Sequence, residues 1–378
     1  MKPIQHADIA VIGAGIVGLA HALEAAKRGF NVVLFERDQY ALGASVRNFG
    51  MVLPVGMAPG EVHQRALRSR NIWLEVAREA GFWHEPVGFM VLAYRPDEMA
   101  VLTEFCERGP ALGYIGQLLD KTEVLQRCTG ANPDGLLGAM WSPTEMVVDP
   151  REAVRKIPAY LAGQYGVTLR FGAAVTAIDL PYIEAGGQTW QVERALVCGG
   201  ADFETLYPEL FQASGLTRCK LQMLRTEPQP DNWRLGPMLA TGFTLKHYPA
   251  FSICESLTPL KARLAAEYPE LEQWGIHILA SQNEAGEVIL GDSHEYGLAP
   301  EPFDRTEIDE LILFHAQKML RLPSLKISQR WHGVYAKHFE KAAVIETPAE
   351  NVRVVTGLGG IGMTTSFGLA QETFEAWA

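Results

Sequence analysis

Two short apolar runs open the chain: Ile9-Ala10-Val11-Ile12, and Val32-Val33-Leu34-Phe35 ending in Glu36. Between them Gly13, Ala14, Gly15, Ile16, Val17 and Gly18 lead into residues 19–27, whose apolar positions have helical spacing. The pattern predicts strand, glycine turn, helix, strand and acid. A 3.6-residue period over 60–81 sets Ala66, Ile72, Trp73, Val76 and Ala77 on one face, with Arg65, Arg68, Arg70 and Arg78 elsewhere, and predicts a long helix. A strand at 87–94, a helix at 96–108, a short helix at 121–128 and strands at 136–142 and 146–148 follow. Asp149-Pro150 opens another helix, cap then proline, running to about residue 165. A strand at 166–171 returns to the first sheet, and 175–178 and 190–192 have hairpin-like spacing. An apolar strand at 195–198 ends at Gly199-Gly200-Ala201.

Residues 216–327 read mainly as strands, with helices at 257–268 and 306–320. Alternating polar and apolar positions mark 220–225 as a half-buried strand; 244–248 alternates less cleanly. Residues 276–281 and 288–291 frame a turn at 283–286 and read as a hairpin. The chain closes with a strand at 352–356, a glycine turn at 357–362 and a helix at 363–376. The class is α/β, with a Rossmann-like unit and a second, α+β part built on an antiparallel sheet.

The glycines have distinct physical jobs. Gly13 turns the chain off the strand, Gly15 lets a pyrophosphate approach the backbone, and Gly18 lets the helix pack against the sheet. The helix N-terminus offers free N–H groups to phosphate. Glu36 falls where a carboxylate accepts both ribose hydroxyls, and its charge opposes a 2′-phosphate, hence NADP. The loop 43–50, with Ser45, Arg47 and Asn48, can wrap such a cofactor. The turn at 357–362 before the last helix is a second site for negative charge. A nicotinamide enzyme has no general need of it; a reduced flavin, negative at N1–C2=O, does.

At 378 residues the chain has room for two domains. A net charge of −11 gives no basic footprint for nucleic acid or anionic lipid, while leaving room for a local cationic pocket. Cys106, Cys128, Cys198, Cys219 and Cys254 form no CxxC pair and read as reduced thiols, with no zinc or other metal site expected. No segment has membrane length, so the expectation is a cytoplasmic protein.

Together, the Gly13/Gly15/Gly18…Glu36 unit, the 43–50 loop, the strand end at 197–201 and the turn at 357–362 resemble the FAD-dependent amine oxidases of the D-amino-acid oxidase, glycine oxidase and sarcosine oxidase superfamily. The resemblance spans nearly the whole chain. It implies a discontinuous FAD domain (1–55, 149–212 and 328–378) interleaved with a substrate domain (56–148 and 213–327). It also implies FAD, expected to be noncovalent because the cysteines give no positional case for attachment, held by Gly13, Gly15, Ile16, Val17, Gly18, Glu36, Arg37, Ser45, Arg47, Asn48, Val175, Gly199, Gly200, Gly359, Gly360, Ile361, Gly362, Met363 and Thr364. The stretches 44–50, 199–206, 219–226 and 291–297 look like a bacterial subgroup associated with phosphonate catabolism. That implies oxidation of an aminoalkylphosphonate or its N-methyl derivative to an imine, then to an aldehyde plus an amine or ammonia.

One departure bears on the substrate. Amino-acid oxidases of the superfamily commonly follow Trp-x-Gly with a carboxylate-clamping Arg; here Trp331-His332-Gly333-Val334 leads to Tyr335. A tetrahedral dianion suits several separate donors better than one planar fork. Candidates are Arg47, Lys220, Gln222, Arg225, Lys246, His247, Tyr248, Tyr335, Lys337 and His338, of which strand alternation lets only one face of each strand reach the flavin. Tyr248, His294 and Tyr335 are candidates for the chemistry, although hydride transfer from a neutral amine requires no base on the α-carbon. A small anionic amine and O₂ are the expected partners. Sarcosine, glycine or a D-amino acid is the alternative substrate; a quinone or carrier protein is the alternative acceptor. An NAD-dependent dehydrogenase and a non-enzymatic nucleotide-binding protein are the readings of other classes.

Overall fold

The computed structural model describes residues 4–377. The elements that place the site are β1 (Ile9–Ile12), α1 (Ile16–Lys27), β2 (Val32–Glu36), α2 (Glu61–Ala80), β3 (Phe89–Ala93), β4 (Gly138–Ser142), α3 (Pro150–Tyr165), β5 (Thr168–Phe171) and β6 (Arg194–Val197). There follow β7 (Thr217–Thr226), β8 (Leu279–Gln282), β9 (Val288–Gly291), α4 (Thr306–Met319), β10 (Ile327–Lys337), β11 (Val344–Ala349), β12 (Val352–Thr356) and α5 (Gly362–Glu375).

A six-stranded sheet has the order β5-β2-β1-β6-β12-β11. All its pairs are parallel except β11 with β12. Its central strands are buried end to end, as a sheet covered on both faces requires. Helices α1, α2, α3 and α5 supply one cover, through a core that includes Leu19, Trp73, Ile157 and Phe367. Trp73 is fully buried, donates its indole N–H to the Met363 carbonyl at 2.6 Å and meets Phe367 edge-on. The second domain-sized layer is a nine-stranded sheet running Gln117–Asp120, β4, β3, Met238–Ala240, β8, β9, β7, β10, with Glu295–Gly297 also on β7. It is antiparallel apart from β3 with Met238–Ala240. The sequence division drawn at 327/328 therefore falls at the start of β10, which pairs with β7 along its whole length.

Two expected elements take another form. Residues 244–248 are not a strand: Gly242–Leu245 is a helical turn, followed by a 3-10 turn at Pro249–Ile253. Proline at 249 and the small residues Thr241 and Gly242 favour tight turns over extension. Residues 175–191 are not one hairpin but a meander of Val175–Asp179, Tyr182–Ala185 and Gln188–Gln191. The middle strand buries only Ile183 and Ala185 and so has a weak apolar signal. Among the described residues no helix is long and apolar enough to cross a membrane.

Candidate active site

A cavity of about 840 Å³ runs along the carboxyl ends of the parallel strands. It extends from Glu36 and Arg37 to the large sheet, where Leu221, Met223, Tyr335 and Asp292 wall it. This is where an open α/β sheet holds a ligand, because the strand ends and helix N-termini converge there.

The first wall is the glycine turn. Gly13 has φ +102°, and a Cβ on it would lie 2.4 Å from the Cys198 carbonyl oxygen. A Cβ on Gly18 would lie 1.8 Å from the Gly13 oxygen, so helix α1 touches the turn only through glycine. Gly18 therefore supports the cavity from behind, while Gly13, Gly15, Ile16 and Val17 line it. The Glu36 carboxylate accepts from the Ala14 N–H at 2.8 Å and the Asp38 N–H at 3.1 Å, and it also lines the cavity. Ser45 Oγ accepts from the Ile16 N–H at 2.9 Å, tying the 43–50 loop to the start of α1. Arg37 pairs with Asp202 at 2.9 Å, both on the cavity wall. Val175, Gly199 and Gly200 line the same end.

At the other end, Gly359, Gly360, Gly362 and Met363 line the cavity at the start of α5, which has no side-chain cap among the described residues. Arg47 lines it and donates to the His332 carbonyl at 3.2 Å, holding the loop to β10. Asn48 lines it with its side chain stapling the loop, donating to the Ala44 and Ser45 carbonyls and accepting from the Gly50 N–H. Ile361 and Thr364 do not line it. The Ile361 N–H closes the turn on the Leu358 carbonyl, and the buried Thr364 hydroxyl accepts from the Leu53 N–H at 3.0 Å.

The substrate-side candidates divide. Tyr335 lines the cavity, its hydroxyl 3.5 Å from where a Gly360 Cβ would stand. Burial, reinforced by Cys219 and Asp292, holds its phenol well above the usual range. Gln222 is on the other face of β7: its amide donates to the Arg305 carbonyl and Asp309 and accepts from the Arg305 N–H. Leu221 and Met223 take the cavity face instead. Arg225 lies in an adjoining cleft of about 690 Å³ that shares Arg47, Asn48 and Phe49 with the cavity, and it pairs there with Glu287 at 3.2 Å. Lys337 lies against Gly359 rather than in the cavity, with burial lowering its pKa. Lys220 is buried beside Asp304 and Glu295, Lys246 pairs with Glu272, and His338 accepts from the Glu340 and Lys341 N–H groups. Tyr248 packs its ring on Gly56, off the cavity wall.

Asp292 is the residue that sequence reading missed. It is buried, lines the cavity at the end of β9, and its Oδ1 makes no hydrogen bond among the described residues. Burial pushes its carboxyl up to about 6, partly offset by His294. The available signal was an acid directly after a strand, followed two residues later by His294. Behind it sit three imidazoles. His277 Nε2 is 3.2 Å from Asp292 Oδ1, and His294 Nε2 is 4.0 Å from Oδ2. His247 stacks on His277 at 3.9 Å and 27°, and His277 on His294 at 5.3 Å and 19°. Their ring nitrogens lie within 4.8 Å of one another.

The turn that only glycine fits, the carboxylate beside it and a second helix N-terminus at the far end suit one long dinucleotide. The chain matches, over residues 8–376, the family described as DAO, FAD dependent oxidoreductase. The chain belongs to that family. As a member of the DAO family it is an FAD-dependent oxidoreductase. It is similar to L-proline dehydrogenase from P. horikoshii, with TM-score 0.79, 20% identity and coverage of 100% of this chain and 94% of that one. It is similar also to glycine oxidase from Geobacillus kaustophilus, with TM-score 0.76, 18% identity and coverage of 97% and 94%. At these identities the likeness concerns the fold. A glycerol 3-phosphate dehydrogenase of Caloramator mitchellensis is 29% identical over 149 residues, 38% of this chain. The chain spans only 31% of that relative's length. When bound, FAD supplies the hydride acceptor. Gly13, Gly15 and Glu36 would hold its phosphates and ribose and Gly362 at the helix terminus its far end, beside the wall made by Leu221, Met223, Tyr335 and Asp292.

Proposed function

We propose that this protein oxidises a small primary or secondary amine bearing a tetrahedral anion, an aminoalkylphosphonate or its N-methyl derivative, with O₂ as electron acceptor. The imine formed is hydrolysed by water to an aldehyde plus ammonia or methylamine. The observation that carries the amine is Asp292. A buried carboxylate on the cavity wall, faced by imidazoles and by no lysine or arginine ion pair among the described residues, is matched by an ammonium group, whereas an alcohol such as glycerol 3-phosphate brings no cation to it. The anionic end is supported by Tyr335 and Arg47, two separate donors on that wall, in place of a single guanidinium fork. The hydrophobic faces of Leu221 and Met223 exclude water between them.

The test is anaerobic mixing of the yellow protein with 2-aminoethylphosphonate, its N-methyl form, sarcosine, glycine, a D-amino acid and glycerol 3-phosphate. Loss of the flavin band near ~450 nm reports reduction. Bleaching by the phosphonates alone supports the full reading. Bleaching by sarcosine, glycine or a D-amino acid alone keeps the amine and removes the phosphonate. Bleaching by glycerol 3-phosphate alone overturns the reading.

A further inference from the structure

The amine that fits beside Asp292 arrives as an ammonium ion, and no hydride can leave its α-carbon until a proton has left the nitrogen. At the large-sheet end of the cavity, the end opposite Glu36, Asp38, Asp202 and Glu204, the acid on the wall is Asp292. Phe49, Leu221 and Met223 are apolar, and Tyr335 is a phenol that is already protonated. A carboxyl that simply kept the proton would meet the next substrate in the wrong state. Directly behind it stand His277 and His294, then His247, whose side chain is exposed to solvent. His294 Nδ1 faces the Gly275 carbonyl at 2.9 Å, and a carbonyl only accepts, so Nδ1 carries the hydrogen and Nε2 is the acceptor turned towards Asp292.

We propose that Asp292, His277, His294 and His247 form a proton outlet leading from the substrate amine to solvent, an inference that rests on the amine reading above. The ammonium gives its proton to the Asp292 carboxylate, leaving a neutral amine and a carboxylic acid. The acid passes it to His277 or His294 Nε2, regenerating the carboxylate and forming an imidazolium. Transfer to His247 and then to water restores the neutral ring, so one proton leaves per amine bound. The spacing of up to 4.8 Å between ring nitrogens is spanned by one bridging water or by rotation of the exposed His247. Burial keeps His277 well below the usual imidazole range, so that ring is neutral at rest and holds a proton only in passing. The groups facing this path are Cys219 on β7, Tyr335 and Lys337 on β10, Tyr296 beyond β9, and Lys246 and Tyr248 beside His247. The lysines disfavour a lasting imidazolium and so favour passage over storage.

The experiment follows flavin bleaching by stopped flow, without oxygen, from acid to alkaline pH. It uses the FAD-loaded wild type, Asp292→Asn and His247→Gln, with whichever amine bleaches the wild type. An unchanged flavin band shows that each variant is folded and loaded. Asp292→Asn is expected to slow bleaching about 100-fold at neutral pH and to recover as pH approaches the amine's own pKa. In a parallel assay in air, His247→Gln is expected to slow steady turnover several-fold, with added imidazole restoring it. Variants whose pH profiles trace that of the wild type overturn the outlet and leave the amine oxidase standing. A wild type that no amine bleaches overturns both.

Discussion

Gly18 is glycine because the Gly13 carbonyl stands against it, and Gly13 because the Cys198 carbonyl stands against it in turn. The crowded atoms are backbone, 2.4 Å from Gly13 and 1.8 Å from Gly18, so neither site relaxes by turning a side chain. Gly29 also has a positive φ, +88°, but open space around it. The pair gives a direct comparison. Gly18→Ala is expected to yield protein without the flavin spectrum, whereas Gly29→Ala should keep full FAD content and lose only about 1–2 kcal/mol of stability to backbone strain. Equal FAD content in the two variants would show that the close approach at Gly18 does not shape the cradle. Glu36 holds the same turn from the other side, through the Ala14 N–H. Glu36→Gln keeps the shape and removes the charge, and should weaken FAD by roughly 1–3 kcal/mol in a dissociation constant measured by fluorescence. An unchanged constant would mean that the carboxylate serves only the turn. These residues were legible because each job needs one residue type at one spacing. Asp292 was not, since an acid after a strand has no signature until the fold places it on a wall.

Elements were legible where local chemistry and tertiary packing agree. Helix α3 is the plainest example: Asp149 accepts from the Arg151 N–H at 2.9 Å, and Pro150 occupies the first helical position. Burial works against the Asp149 charge, but the Arg151 fork and the helix N–H groups outweigh it and hold the carboxyl below its usual range. A lowered carboxyl stabilises the fold above the unfolded value of about 3.9 and loses that contribution as pH falls through the folded value. Asp149→Ala should therefore cost about 1 kcal/mol at neutral pH in urea unfolding, while Asp149→Asn keeps the cap and loses only the acid-dependent part. Equal losses in both variants would assign the effect to charge alone. Strand β7 shows the limit of local reading. Its alternation was plain from residue 220, yet which face meets the cavity was open, and the structure sends Gln222 to Arg305 and Asp309 and Leu221 and Met223 to the cavity. Parity within a strand is local; the side on which the other sheet lies is not.

The cavity belongs to neither sheet alone, and the imidazoles behind Asp292 come from residues 247, 277 and 294, joined only by the fold. Burying an imidazole has a cost, and it is spread over the whole molecule. His21 lies between α1 and α5, with ring nitrogens 2.7 Å from the Val17 carbonyl and 3.1 Å from the Thr373 hydroxyl, and burial lowers its pKa to about 4. His315 is buried on α4, against Phe243 and Tyr268, and burial takes it to about 4 as well. The unfolded chain binds these protons near pH 6.5, before the folded chain does. Stability must therefore fall as pH drops from about 6.5 towards 4, by about 2 kcal/mol for each ring between neutral pH and about pH 5. This window lies above that of Asp149, so the two are separable in one titration. Urea unfolding at fixed excess FAD should show a steep loss in the wild type and a shallower one in His21→Gln, with His315 and His277 supplying the remainder. A variant that keeps the full wild-type slope would mean that His21 takes up its proton in the folded protein, which the packing of α1 on α5 around that ring leaves no room to solvate.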